Sequence, residues 1–323
     1  MITYEKLSKK PQVAQRLIGM TLTEFDSFYA EFETAHEARL QTSQLTQRGQ
    51  RRRRCVGAGR KHKYDLRNRL LMTLFWLKTY TTYELLGFFY DLDKTNIEDN
   101  LKAILATLEN MATFEFERPS ADRKKLRSVG EVMDAFPDVR LVIDAKEQCV
   151  ERPKNKKDKE GNVHDYQKPY YSGKKKMHTL KNQVAVAPHG RIEAVSASVP
   201  GGAIHDLTLL RQTDLLSRLD DHEAAMMDKG YVGIAADYPT KRLYLPYKAR
   251  RNHPLTEEQK AYNRLLAKYR IVVEHTIAQL NKFQILVQRF RHRLGKHSCI
   301  FRIVASLVNR RIQLHPLKQY SPV

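Results

Sequence analysis

The sequence predicts a protein of two parts: an N-terminal all-α module, and a larger α/β domain in which a mixed sheet is flanked by helices. The chain has 323 residues, enough for a full domain and a smaller module. Apolar residues recur at helical spacing in the first third, whereas short apolar runs typical of buried strands begin near residue 139. We expect the helical module at 1–118, a charged linker at 119–138 and the α/β domain at 139–323.

The composition indicates an anionic partner. The net charge is +21, and such an excess repels itself in a compact protein unless a partner neutralises it. The charge is spread along the chain rather than placed on one amphipathic helix, which favours nucleic acid over a membrane surface. Three isolated cysteines, no signal-like N-terminus and no long apolar stretch predict a soluble, cytoplasmic protein without a membrane partner.

Cap residues mark the helix starts of the N-terminal module. Asp65 is placed to cap a helix over 66–78. Thr81 and Thr82 offer a second start, and Asp93 offers a third. A short helix, a tight turn and a longer helix are the layout of a helix-turn-helix, whose second helix enters the major groove of double-stranded DNA. A plain helical bundle would give the same pattern, but the charge favours DNA. The expected base contacts are Lys94, Asn96 and Asn100, because Asn can form paired hydrogen bonds with adenine.

A basic arm is predicted at residues 48–63, where eight basic residues occur without an acid. Glycines within it disfavour a helix. Arms of this kind follow phosphates or enter the minor groove, while nuclear localisation or simple solubilisation is the alternative. The expected DNA contacts are Arg51, Arg52, Arg53 and Arg54.

The α/β domain is predicted from short apolar runs and two helical patterns. The predicted strands are 141–143, 183–187, 191–197, 224–227 and 243–245. The sequence Pro188-His189-Gly190 predicts the turn of a hairpin. Residues 204–216 are predicted to be helical, and a long helix is predicted from about Thr256. Strands first, then strands alternating with helices, predict a mixed sheet with helices packed on it.

Two carboxylates follow predicted strands, and a third interrupts the long helix. Asp144 comes directly after 141–143 and Asp228 directly after 224–227, positions that hold a side chain rigidly and can face a cleft. Glu274 breaks the apolar pattern of the helix. At about 100° per residue, Arg270, Glu274 and Asn281 form one polar stripe.

Three converging carboxylates would repel one another by about 4 kcal/mol per pair at roughly 4 Å and an effective dielectric near ~20. Mg²⁺ or Mn²⁺ offsets such a cluster, and two ions can activate a water or a 3′-hydroxyl for phosphodiester cleavage and transfer. Each carboxylate also has an ordinary interpretation: a turn or cap for each Asp, and an ion pair with Arg270 for Glu274. The pattern alone leaves their convergence open.

Five sequence blocks resemble bacterial insertion-sequence DDE transposases in order and spacing, over about residues 139–314. They are Val142–Gln148 with Glu151-Arg152-Pro153 after it, Tyr170–Lys181, Pro200–Asp206, Asp228–Gly233 and Arg270–Glu274. Asn263 and Phe283 also fall where related sequences carry them. The closest group is the insertion sequence five superfamily, related to Harbinger-type transposases. The resemblance implies an RNase H-like fold, with Asp144, Asp228 and Glu274 as the catalytic residues and as the ligands of two Mg²⁺ or Mn²⁺ ions.

Two positions depart from the pattern of that family. Many relatives have a Lys seven residues after the Glu, where this chain has Asn281 followed by Lys282. Asn carries no positive charge, so it cannot supply the phosphate contact of a Lys. Lys146 stands where a small or hydroxyl residue is frequent. Neither departure touches the triad.

A second basic segment, 151–181, holds ten Lys or Arg against four acids. A solvated loop is the ordinary interpretation, but its place beside the first Asp block favours contact with DNA. The expected DNA contacts of the second domain are Lys174, Lys175, Lys176, His178, Lys181, Arg270 and Lys282. The residues expected to support the site are His205, Asp206, placed to start a helix, and Tyr231.

The sequence therefore predicts a nucleoid-associated DNA transposase that binds the ends of a mobile element, cleaves them and joins them to target DNA. A homodimer or larger assembly is expected, because two ends must be brought together. The alternatives are a transposase-derived DNA-binding protein and a nuclease that cleaves without joining. The intact triad argues against a protein that only binds DNA.

Overall fold

The computed structural model describes residues 1–42, 61–114, 136–157 and 163–317. The chain divides into two compact units. The described residues of 1–113, 282–288 and 299–304 form a helical unit, and those of 114–281, 289–298 and 305–323 form an α/β unit. Two short C-terminal segments therefore belong to the helical unit, which a division of the sequence into contiguous domains does not anticipate. Most of the predicted basic arm, including Arg51, Arg52, Arg53 and Arg54, lies outside the described residues, as does most of the predicted linker.

Six helices make up the described N-terminal part of the helical unit. They are α1 (Tyr4–Ser8), α2 (Pro11–Ile18), α3 (Leu22–Thr42), α4 (Leu66–Thr79), α5 (Tyr83–Tyr90) and α6 (Lys94–Met111). Residues 70–77 of α4 are all buried, and α2, α3 and α6 pack against this helix. The predicted N-terminal helical region is confirmed.

The predicted helix starts are confirmed by their caps. Asp65 Oδ1 accepts a hydrogen bond from the N–H of Asn68 at 2.8 Å, and Thr82 Oγ1 accepts one from Leu85. Asp93 occupies the N-cap of α6 without a side-chain capping bond. The order of short helix, turn and longer helix is present in α5 and α6, and its identity as a DNA-binding helix-turn-helix stays a prediction.

The α/β unit is built on a mixed sheet. Its strands are β1 (Val139–Cys149), β4 (Tyr171–Ser172), β5 (Met177–Val186), β6 (Ile192–Val195), β7 (Val199–Pro200), β8 (Ala224–Met226) and β9 (Arg242–Tyr244), while β2 (Lys156–Lys157) and β3 (Val163–His164) form a separate ribbon. The order is β4-β5-β1-β8-β9, and β6 and β7 also pair with β5. β5 runs antiparallel to β1, whereas β8 and β9 run parallel to it. The predicted mixed sheet and the hairpin of β5 and β6 are confirmed.

The helices described in this part of the chain are α7 (Asp206–Thr213), α8 (Glu257–Leu280) and α9 (His297–Leu314), and residues 299–304 of α9 belong to the helical unit. α8 begins with a capping box, in which Thr256 Oγ1 accepts from the N–H of Gln259 and Gln259 Oε1 accepts from the N–H of Thr256. α8 packs on β1 and β5. The predicted long helix is therefore confirmed, and the unit is compatible with the RNase H-like fold that the resemblance implies.

The prediction that β1 ends before Asp144 is wrong. The strand continues to Cys149, because β5 pairs with it over its whole second half, from Asp144 opposite Val184 to Cys149 opposite Thr179. The polar residues after Ile143 have the composition of a loop. Their hydrogen bonds come from a partner thirty or more residues away, which local composition cannot reveal.

The turn after β7 brings glycine backbone against β4. A Cβ added at Gly202 would lie 2.0 Å from the carbonyl oxygen of Tyr171, and backbone atoms cannot move aside cheaply. At Gly173, in the turn between β4 and β5, an added Cβ would meet nothing within 4 Å.

We predict that Gly202→Ala lowers the free energy of unfolding by about 1–3 kcal/mol, the usual cost of forced overpacking. Gly173→Ala, the matched control, should change it by about 0.5 kcal/mol or less. Urea unfolding followed by circular dichroism measures both. Equal stability of the two variants would contradict the close approach of this turn to β4.

Candidate active site

Asp144 and Asp228 lie level with each other on neighbouring parallel strands. Val142 of β1 pairs with Met226 of β8, and each aspartate comes two residues later. β8 ends at Met226, so Asp228 stands just beyond the strand, as predicted. Asp144 lies inside β1 at the level where the pairing with β8 has ended. The register of two strands thus brings together two carboxylates that are 84 positions apart in the sequence.

A third carboxylate, that of Asp206, lies beside Asp228. A Cβ added at Gly230 would be 3.0 Å from Asp206 Oδ2 and 3.0 Å from Asp228 Oδ1, so the two side chains flank this glycine. The N–H of Gly230 donates to Asp228 Oδ1 at 2.7 Å and fixes that carboxylate. Asp206 is the first residue of α7, as predicted, and its neighbour His205 occupies the exposed N-cap.

The electrostatics of Asp144 reflect a crowded, half-buried position. Burial raises the pKa of its carboxyl above the ordinary value, and the nearby charges of Asp228 and Asp206 raise the pKa further. Two contacts act in the opposite direction: the N–H of Ala145 donates to Asp144 Oδ1 at 2.7 Å, and Arg270 Nη2 lies 3.7 Å from Asp144 Oδ2. Arg270, expected to contact DNA, is therefore also the counter-charge of Asp144.

Lys181 is not available to DNA, which corrects the prediction that it contacts phosphate. Its side chain is buried, with Nζ 2.9 Å from Asp206 Oδ1 and 3.5 Å from Glu147 Oε1. Nζ also donates to the carbonyl of Ile204 at 2.9 Å. Lys181 is the charge partner of Asp206, and this role was hidden because a lysine within a basic segment resembles a surface lysine.

One face of α8 carries a row of polar residues towards this edge of the sheet. Asn263, Arg270, Glu274 and Asn281 lie within an arc of about 40° around the helix axis. Arg270 contacts Asp144 of β1, and Asn281, the C-cap residue, accepts a hydrogen bond from Lys146 of β1 at 2.6 Å. Glu274 is exposed and lies between these two contacts.

The two residues that depart from the family pattern meet in the structure. Lys146 is half-buried and lies two positions after Asp144, on the same face of β1. Its Nζ donates to Asn281 Oδ1, and within the described residues no carboxylate lies within 4 Å of it. Burial, together with the nearby charge of Lys175, lowers the pKa of Lys146 to about 8. A cation at residue 146 thus accompanies the neutral side chain at residue 281, a pairing that neither position reveals alone.

The turn between β4 and β5 carries three exposed lysines, Lys174, Lys175 and Lys176. Lys176 has a φ of +53°, and the N–H of Lys175 donates to Ser172 Oγ at 3.3 Å, which holds the turn. His178 is half-buried and stacks edge-on against Tyr171. These positions suit the DNA contacts expected of them, and those contacts stay predictions.

The remaining predicted residues have varied surroundings. Tyr231 is fully buried and its hydroxyl accepts a hydrogen bond from Gln183 Nε2 at 3.1 Å, so it supports the site from the core. Lys282 is exposed and belongs to the helical unit. Lys94 is exposed and ion-paired with Glu84 at 2.6 Å, and Asn96 is exposed.

The prediction that Asn100 contacts bases is corrected by its buried position in the helical unit. It is 7% exposed, its Oδ1 accepts from Arg69 Nε at 2.6 Å, and its Nδ2 donates to the carbonyl of Asn96 at 2.7 Å. Its hydrogen-bonding groups are satisfied within the helical unit, so it positions α6 and does not face a groove.

Residues 143–309, more than half of the chain, match the family model described as DDE superfamily endonuclease. The chain belongs to this family. It is 28% identical over 257 residues, 79% of this chain and 84% of the relative, to a Microchaete diplosiphon protein called "Probable transposase for insertion sequence element IS702". No solved structure matches the chain. The resemblance to bacterial insertion-sequence DDE transposases is thereby confirmed.

DDE endonucleases generally use divalent metal ions, and the carboxylates gathered at Asp144 and Asp228 are donors that suit Mg²⁺ or Mn²⁺. A separate group of possible metal ligands occurs among the described residues. It consists of Asp220, His222 and Glu223, whose ligand atoms lie within 4.8 Å of one another. It stands before β8, whereas Asp228 stands after it.

In the described part of the chain, no helix has the length and apolar character needed to cross a membrane.

We predict that Lys181→Met destabilises this DDE endonuclease by about 3 kcal/mol, since it leaves Asp206 and Glu147 without their counter-charge. Lys175→Met removes an exposed lysine of the neighbouring turn and should change the free energy of unfolding by about 0.5 kcal/mol or less. Urea denaturation compares the two. An undiminished stability of Lys181→Met would show that the pairing with Asp206 and Glu147 is dispensable.

Proposed function

We propose that this protein is a DNA transposase that cleaves the ends of a mobile element and joins them to target DNA, with Asp144, Asp228 and Glu274 as its catalytic residues. The observation that carries the proposal is the level position of Asp144 and Asp228 on adjacent parallel strands. The polar face of α8 supports the third assignment, because Glu274 lies between two residues of that face that contact β1. The relative named as a probable transposase supports it further.

The carboxylates of Asp144, Asp228 and Glu274 would hold Mg²⁺ or Mn²⁺, with two ions bound when the site is fully occupied. When bound, such ions lower the pKa of a water or 3′-hydroxyl and stabilise the leaving oxygen at phosphorus. The protein itself fixes the ligands: the N–H groups of Ala145 and Gly230 orient the two aspartates. Arg270 offsets the charge of Asp144. This division of roles is what an RNase H-like fold would provide.

Several cationic groups would guide the DNA backbone. In the α/β unit they are Lys146, Lys174, Lys175 and Lys176, beside which His178 would contact phosphate through a hydrogen bond. The helical unit would add Lys282, and the basic arm would add Arg51, Arg52, Arg53 and Arg54, while Lys94 and Asn96 of the helical unit would contact bases. Phosphate contacts of this kind give affinity that falls steeply with salt. Two element ends would be held in a homodimer or larger assembly.

We predict that Asp144→Asn, Asp228→Asn and Glu274→Gln each abolish strand cleavage while DNA binding stays equal or becomes tighter. Each amide keeps the shape and removes the charge that holds the metal, and loss of negative charge near phosphate cannot weaken binding electrostatically. The assay is nicking of a labelled duplex that carries the element end, with Mg²⁺ or Mn²⁺ and then with a chelator. Double substitutions should lose little more cleavage activity than single substitutions, because the three residues act as one site.

Glu257→Gln, at the exposed start of α8, is the matched control for Glu274→Gln and should retain cleavage. Asp206→Asn should be impaired less than the triad variants, since Asp206 has a supporting role. Substantial cleavage by Glu274→Gln, or cleavage that survives chelation, would refute the assignment. If the unmodified protein binds true ends without cutting them, a DNA-binding function replaces the proposed one. If the protein cleaves element ends without joining them to target DNA, it is a nuclease and not a transposase.

We further predict that Lys146→Met lowers the cleavage rate about 10- to 100-fold, the value of one charged hydrogen bond to phosphate of about 1.5–3 kcal/mol. Adding Asn281→Lys to the same chain should restore much of the rate, because it returns an ammonium group to the same hydrogen-bonded pair of positions. The control is Lys146→Met with Asn281→Met, which packs two apolar side chains and supplies no charge. Recovery in that control would mean that Lys146 only ties α8 to β1.

A further inference from the structure

A loop of residues 247–253 leaves the sheet at the same edge as the two aspartates. It follows β9, which runs parallel to β8 with Met226 opposite Tyr244. The N–H of Met227 donates to the carbonyl of Tyr244, so the pairing reaches the level of Asp228. We call this segment the Tyr247 loop. None of its residues belongs to the site described above.

The Tyr247 loop is held in a defined shape. The N–H of Tyr247 donates to Asn263 Oδ1 at 2.9 Å, and Asn263 Nδ2 donates to the carbonyl of Tyr247 at 3.0 Å. The ring of Tyr247 packs edge-on against Tyr262, with centroids 5.3 Å apart. Arg250 and His253 exchange backbone hydrogen bonds of 3.2 and 3.0 Å at the tip. These contacts fix the backbone of the loop and the position of the Tyr247 ring.

Asn263 connects the loop to the active site. It lies on the same face of α8 as Arg270, seven residues earlier and about 10 Å along the helix axis. Arg270 contacts Asp144. The helix that supports the aspartate therefore also holds the loop, two turns away.

The exposed side chains of the loop include three cations and the ring of Tyr247. Lys248, Arg250 and Arg251 are exposed, and no acidic residue occurs between Arg242 and Thr256. Within the described part of the chain, no carboxylate lies within 4 Å of these three cations. The ring of Tyr247 is 48% exposed. Cations without counter-charges beside an aromatic ring are the combination that binds single-stranded nucleic acid, through phosphates and base stacking.

We propose that the Tyr247 loop binds DNA next to the phosphate that is cleaved, with Lys248, Arg250 and Arg251 on phosphates and Tyr247 stacked on an unpaired base. This inference rests on the proposed function. An aromatic ring reaches the face of a base only where that base is unstacked, at a strand end, a nick or a flipped nucleotide. The loop is thus specific for the opened strand and adds little to the binding of intact duplex.

The test measures affinity by fluorescence anisotropy for a blunt 30-base-pair duplex and for the same duplex with a three-nucleotide single-stranded overhang. The full-length protein is used in chelator, so that no cleavage occurs. We expect the unmodified protein to prefer the overhang. Tyr247→Leu keeps apolar contact with Tyr262 and offers no aromatic face, so it should reduce that preference about fivefold or more. Tyr247→Phe, which retains the ring, should keep it.

The cations are tested by salt dependence. The binding constant K for the duplex with the overhang is measured at several salt concentrations. Arg250→Gln with Arg251→Gln should flatten the plot of log K against log salt by about 0.7–0.9 for each phosphate that the variant no longer neutralises. The matched control is Arg264→Gln with Lys268→Gln, which removes the same charge from exposed residues on another face of α8. That control should leave the slope nearly unchanged.

A preference for the overhang that survives in Tyr247→Leu overturns the proposal, as does an equal change of slope in the control pair. An absent preference in the unmodified protein also overturns it. These titrations contain no metal, so they do not depend on the triad. Cleavage by Glu274→Gln would refute the proposed catalytic function and leave the binding result standing.

Discussion

The repulsion among carboxylates at one edge of the sheet is the constraint on which this structure depends. Asp144, Asp206 and Asp228 are close enough that the charges of the last two raise the pKa of the first. Repulsion between like charges in a half-buried site is a substantial cost compared with the stability of a domain. The fold offsets this with two cations from different elements: Lys181 of β5 faces Asp206, and Arg270 of α8 faces Asp144.

These two cations offset only part of the negative charge of the three carboxylates. A site that binds a divalent ion must keep such an excess of negative charge. Arg270 Nη2 stands 3.7 Å from Asp144, a loose contact, and within the described residues Asp228 has no cationic partner within 4 Å. The helix α8 then sets what surrounds the acids. Its polar face holds the Tyr247 loop at Asn263, Asp144 at Arg270 and Lys146 at Asn281, so one helix orders acidic and basic groups along a single line.

Much of this could be predicted from the sequence where the signal is local. Asp65, Thr82 and Thr256 mark helix starts by their own side-chain chemistry, and apolar runs mark β1, β8 and β9. The aspartate pair was predicted because each residue follows an apolar run.

What could not be predicted depends on contacts between distant segments. β1 extends to Cys149 because β5 pairs with it. Lys181 and Asn100 are buried against partners far away in the sequence. Lys146 and Asn281 are 135 positions apart and form one hydrogen bond. The Tyr247 loop gave no pattern, since its order comes from Asn263 and Tyr262 of α8.

A shared metal site of Asp144, Asp228 and Glu274 can be tested directly by affinity cleavage. Replacing Mg²⁺ with Fe²⁺ in the presence of ascorbate and peroxide generates hydroxyl radicals at the bound ion, and these cut the polypeptide next to its ligands. If the three carboxylates share one site, cuts should appear in three segments, around Asp144, Asp228 and Glu274, all suppressed together by excess Mg²⁺. Cuts around the two aspartates without any near Glu274, or cuts confined to Asp220, His222 and Glu223, would contradict a shared site.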